Sequence, residues 1–248
     1  MRITLYMKIN KTFMNHPLWN EVMSISQDLP DLSEDQKADY LQLIVEGFYP
    51  ISYYSLYSFQ QFAKLTPHTL AKTTALFISD TEAGMHPLLG NVPYKGTPHY
   101  QQINLMIASL NGDEAYKLQH PTRYAFFSKA NAINPSEIQA LAYCNLIEHT
   151  AVWVIHYYQE FVAKWQSKYK VPNHKIFRVY LDEHNLTEGD EAEEQHIKLL
   201  NKMNNPYKEQ LGNEEYQTAL DHLNKSAMEH FDRVMEKIHL LTRQTQVA

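Results

Sequence analysis

The chain has 248 residues, 44% hydrophobic and 20% charged, with no Pro/Gly/Ser-rich linker, so one domain over 1–248 is expected rather than two. A formal net charge of -6 and the lack of any Lys/Arg cluster argue against nucleic acid or an anionic membrane as partner. A single cysteine, Cys144, rules out internal disulfides and cysteine-based metal sites, and no run of about 18 apolar residues is present to span a membrane. The N-terminal stretch has neither a sustained apolar region nor a small-residue cleavage site, and a cytoplasmic protein is expected. Only seven glycines suit a helix-rich chain.

In chain order, residues 17–29 can form a short helix ended by Pro30. Ser33 and Gln36 have capping-box spacing and open a helix to about Glu46, which Gly47 and Pro50 are expected to interrupt or kink. The aromatic segment that follows holds Tyr49, Tyr53, Tyr54, Tyr57 and Phe59, read mainly as core. Thr66-Pro67 is expected to open a helix to about Met85 with Ala71, Ala75 and Ile78 inward, and Glu82 falls on that same face. His86 lies one turn further on, just before Pro87. A second Thr-Pro pair, Thr97-Pro98, opens a helix from His99 to Leu110, with His99 the polar member of a stripe containing Ile103, Met106 and Leu110.

Short helices separated by Pro121 are expected over 113–131. Asn134-Pro135 caps the longest periodic helix, to about Tyr169. In it Leu141, Cys144, Val152 and Ile155 stand at helical spacing on either side of Glu148, marking a buried carboxylate. His149 and His156 lie off that line. After Pro172, residues 177–203 carry His184 behind Phe177, Tyr180 and Leu181, and His196 ahead of Leu199, Leu200 and Met203. Each histidine is thus the polar member of an apolar stripe, with a carboxylate in register: Glu188 four after His184, Glu193 three before His196. A last amphipathic helix over 214–242 packs through Tyr216, Leu220, Leu223, Ala227 and Phe231, with His222, His230 and His239 read as incidental. No strand alternation, phosphate-binding glycine loop or nucleophile elbow is present.

The structural alternative stands beside this. Thirteen histidines are many, a lone histidine in a core is commonly just hydrogen-bonded, and an acidic run is commonly solvated surface. Against it, several inward carboxylates converging on imidazoles in an apolar bundle are costly without a cation. Carboxylate and imidazole ligands without thiolate suit iron or manganese in a helical bundle.

The segments DTEAGMHP around Glu82, TPHYQQINLMIASLNG from His99, LAYCNLIEHTA around Glu148 and EHNLTEGDEAEEQHIKLL together resemble the haem-oxygenase-like diiron oxidases and oxygenases. The likeness covers about residues 35–205 and implies an all-α, single helical bundle of haem-oxygenase-like fold, with 214–242 as a packing helix. It implies metal ligation by Glu82, His99, Glu148, His184, Glu193 and His196, with His86 and Glu188 as alternates. It also implies two Fe ions or a Mn/Fe pair, O2 as co-substrate, an external reductant and a small-molecule substrate, and a homodimer is allowed. The chain departs from the family in its final His-to-His interval, twelve residues instead of seven. At about 100° per residue that leaves His196 about 120° out of phase, so a bend near Gly189 is expected. Two other readings remain open: a metal-free enzyme of thiaminase or coenzyme-synthesis type on the same fold, and a non-catalytic helical interaction or effector protein.

Overall fold

A computed structural model describes residues 29–85, 96–110, 135–170 and 191–243; the side chains at 48–54, 108, 152–154, 156, 157 and 191–197 fall outside that description. The described elements are helices α1 (Glu34–Leu65), α2 (Thr69–Glu82), α3 (His99–Leu110), α4 (Glu137–Lys168), α5 (Glu191–Asn204), a 3-10 turn (Asn205–Tyr207) and α6 (Glu214–Arg243). No strand occurs among the described residues, and the fold class is all-α. The long helix α1 lies at the centre, packed against α2, α3, α4 and α6, while α5 packs on α2 and α4. Ile44, Phe59, Phe62, Ile103, Met106, Leu141, Phe161, Leu200, Leu220 and Phe231 all belong to the shared apolar core. None of the described helices is long and apolar enough to cross a membrane.

Capping chemistry sets the starts of α1 and α4. Ser33 Oγ accepts from Gln36 N–H at 3.3 Å and Gln36 Oε1 accepts from Ser33 N–H at 3.0 Å. The same box recurs at Ser136 and Gln139. The N-cap of α4 is therefore Ser136 and not the Asn134-Pro135 pair. Thr66-Pro67 does not open α2 either: Thr66 is the C-cap of α1, His68 is the N-cap of α2, and the helix begins at Thr69. The Thr66 hydroxyl is used elsewhere, accepting from His68 N–H at 3.2 Å and bonding the Tyr207 hydroxyl. The buried faces of α2 and α6 are those the spacing predicts, Ala71, Ala75 and Ile78 in one and Tyr216, Leu220, Leu223, Ala227 and Phe231 in the other.

The expected break at Gly47 and Pro50 does not occur, for α1 runs unbroken through both. Proline 50 has no N–H to give to the carbonyl of Glu46, one turn earlier, and an unsatisfied buried carbonyl is destabilising. Here α6 supplies the missing donor. His230 Nε2 lies 2.9 Å from Glu46 O, and because a carbonyl only accepts, the proton sits on Nε2. Lys237 Nζ meets the Glu46 carboxylate at 2.6 Å, adding a second tie. His230 is buried, and so is structural rather than incidental, whereas His222 and His239 are exposed.

The direction of α5 follows from its C-terminal end. Asn204 and Asn145 exchange amide hydrogen bonds, Nδ2 to Oδ1, at 2.9 and 2.6 Å. Just beyond, the Tyr207 hydroxyl donates to the Glu137 carboxylate in the first turn of α4 and bonds Thr66 ahead of α2. The end of α5 is thus held at the beginnings of α2 and α4. Packed against both, it runs back along α2, antiparallel to it.

Candidate metal centre

The best-defined polar feature in the core is the meeting of Glu82 and His99. Glu82 closes α2 and is 8% exposed; His99 opens α3 and is 6% exposed; Nδ1 of one lies 3.3 Å from Oε2 of the other. A pair of glycines explains why the two helix ends meet. Gly84 has φ +75°, a left-handed conformation that turns the chain directly after α2, and a Cβ added there would lie 2.2 Å from the Thr97 carbonyl oxygen. Gly96 N–H then donates to Gly84 O at 2.9 Å. This clasp sets the residues two before Gly84 and two after Thr97, Glu82 and His99, side by side. Gln102, one turn along α3, holds it from behind by donating from Nε2 to Thr97 O at 3.0 Å.

Glu148 sits in the first half of α4, 3% exposed, among Leu141, Cys144 and Ile155, all buried as the spacing predicts. Its charge adds to burial in pushing the Cys144 thiol well above its ordinary range, which leaves that cysteine a poor nucleophile. His149 is held neutral by burial, its pKa lowered to about 4, and acts as a packing residue. Burial likewise raises the Tyr158 phenol. Among the aromatic-segment residues, Phe59 is fully buried while Tyr57 is 41% exposed and turned outward.

The other expected ligands are placed less fully. His86, His184 and Glu188 lie outside the described residues, as does the bend expected near Gly189. Glu193 and His196 lie on the described backbone of α5, but their side chains are outside the description. Since α5 runs back along α2, its first turns, which carry 193 and 196, lie toward the Glu82 end of α2. Among the described residues no group of three or more His, Cys, Asp or Glu side chains forms an ion site, so Glu148 does not join Glu82 and His99 in one cluster.

The donor set of the Glu82–His99 pair can be tested against a metal directly. Charge-assisted hydrogen bonds between such groups are commonly about 2.7–2.9 Å, shorter than the 3.3 Å seen here. Two neighbouring ligands of one ion, each at about 2.1 Å, stand roughly 3.0–3.4 Å apart. A buried carboxylate and imidazole at 3.3 Å therefore fit one side of a first-row metal site. Sequence reading found both residues but missed Gly84, Thr97 and Gln102. The available signals were the glycines at 84 and 96, which bracket the loop, and a glutamine three residues after His99 on an inward face.

Comparison of the chain with models of known families, with curated proteins and with solved structures finds no match.

Proposed function

We propose that the protein is an O2-dependent oxidase or oxygenase that oxidises a small organic substrate at a non-haem dinuclear iron (Fe/Fe or Mn/Fe) centre in a haem-oxygenase-like bundle. The observation that carries this reading is the buried Glu82–His99 pair at 3.3 Å, set in an apolar core where two ionisable groups are expensive without a cation. Glu82, His99, Glu148, His184, Glu193 and His196 would hold the ions, with His86 and Glu188 as alternates. Such a centre, when bound and reduced, would supply the electrons for O2 reduction, with an external reductant needed to restore them. The chain's own part is to fix the imidazole and carboxylate through the Gly84–Thr97 clasp and to keep bulk water from the site with its apolar surroundings.

A second reading is favoured by one fact: among the described residues the cluster has two members, not three. A carboxylate–imidazole pair of that kind can accept and return a proton on an organic substrate with no metal at all. Metal content of protein expressed with iron separates the two, measured on the parent and on His184→Ala and Glu148→Ala. The expected result is about two ions per chain in the parent, with a sharp fall in both variants. Folded protein without metal in all three overturns the diiron reading in favour of acid–base chemistry.

A further inference from the structure

Gln102 is 2% exposed, and its two amide atoms are in different situations. Nε2 is committed to Thr97 O at 3.0 Å, while Oε1 is buried and finds no hydrogen-bond partner among the described residues. Leaving a buried acceptor unsatisfied is destabilising, so a glutamine is a poor choice here if its only work is to hold the clasp. A residue with a donor alone would do that better. The position of the amide is informative. Residues three apart on a helix are surface neighbours, so Gln102 stands beside His99, and the amide is tied to the same Thr97 carbonyl that Gly84 abuts two residues after Glu82. The corner therefore holds three kinds of acceptor: the Glu82 carboxylate 3.3 Å from the His99 imidazole, the Thr97 carbonyl, and Gln102 Oε1. Such a corner suits a cation and the proton-bearing ligand that completes its coordination.

We infer that Gln102 is a positioning residue of the metal centre, with Oε1 accepting a hydrogen bond from a proton-bearing ligand of the ion held by Glu82 and His99. This rests on the metal reading proposed above. Groups in this outer position commonly alter metal affinity 10–100-fold. The test is titration of the metal-free full chain with manganese(II) alone, followed by the electron paramagnetic resonance of the free ion, on the parent, Gln102→Met and Gln102→Glu. Methionine keeps the volume but removes both the acceptor and the donor to Thr97 O; glutamate also gives up that donor, but keeps an acceptor and adds charge. The expected result is binding roughly tenfold weaker for Gln102→Met and tighter than the parent for Gln102→Glu. A purely structural role, holding Thr97 O, could at best return the glutamate variant to the parent's affinity. If the parent binds and either Gln102→Met matches it or Gln102→Glu is no tighter, the role of Gln102 is overturned while the metal reading stands. If the parent does not bind, both fall.

Discussion

Two histidines in this bundle are almost equally buried and do opposite kinds of work. His230, 4% exposed, faces a main-chain carbonyl that a proline has left without a donor. His99, 6% exposed, faces a side-chain carboxylate. The first arrangement is complete: one neutral donor meets one acceptor, and the hydrogen-bonding account of α1 closes at the position where it would otherwise fail. The second places an ionisable acid and base together in the core, where an apolar pair would be at least as stable. Burial and residue type do not distinguish these histidines. What distinguishes them is whether the group opposite is a backbone deficit or a second chemical function.

The contrast can be broken most severely at the clasp. Gly84→Ala forces a side chain into a left-handed backbone position and against the Thr97 carbonyl, and should lower stability by at least about 2 kcal/mol. On the metal reading proposed above, it should also reduce bound metal severalfold although it replaces none of the proposed ligands. Urea unfolding and metal analysis of the same preparation check both. Unchanged metal content would show that the clasp does not set the Glu82–His99 pair.

A smaller effect is expected at the other histidine. His230→Phe orphans the Glu46 carbonyl and should cost about 1–3 kcal/mol while leaving metal content alone. In a Pro50→Ala background, where an N–H is restored, the same substitution should cost about 1 kcal/mol less, a coupling read by a double-mutant cycle. Additive losses would mean that the proline and the histidine do not serve one carbonyl.

The smallest effect is in pH dependence. Burial, the dominant influence, lowers the pKa of His230 below its unfolded value of about 6.5, with Arg233 and Lys237 acting in the same sense and the Glu46 carbonyl and carboxylate opposing. The neutral imidazole is the form that folding favours. Its contribution is therefore complete above about pH 6.5 and is lost as pH falls through that value toward the folded-state pKa. The stability of His230→Phe, followed by chemical denaturation from pH 7 to 5, should fall less steeply than that of the parent. Equal slopes would show that His230 does not titrate with folding.

Sequence pattern made the helices legible because their apolar spacing and caps are local properties, as at Ser33–Gln36 and along Ala71, Ala75 and Ile78. It failed at Pro50 because the donor that rescues α1 lies 184 residues from the carbonyl it serves. Thr66-Pro67 misled for a related reason. A threonine before a proline is an apt N-cap, but this one is recruited by Tyr207, a partner that no window around residue 66 contains. At the site, Glu82 and His99 could be picked out one by one as polar members of apolar stripes. Their meeting could not, because it depends on a close approach of backbone at Gly84 and Thr97.

The tie between Asn145 and Asn204, with Tyr207 beyond it, decides how α5 is placed along its neighbours. Helix α5 is fastened at its downstream end, so the height of each of its turns along α2 is counted backward from residue 204 and not forward from residue 184. Residues gained or lost upstream of α5 leave that count unchanged. An anchor placed after a helix in this way leaves the position of the helix independent of the length of the stretch before it.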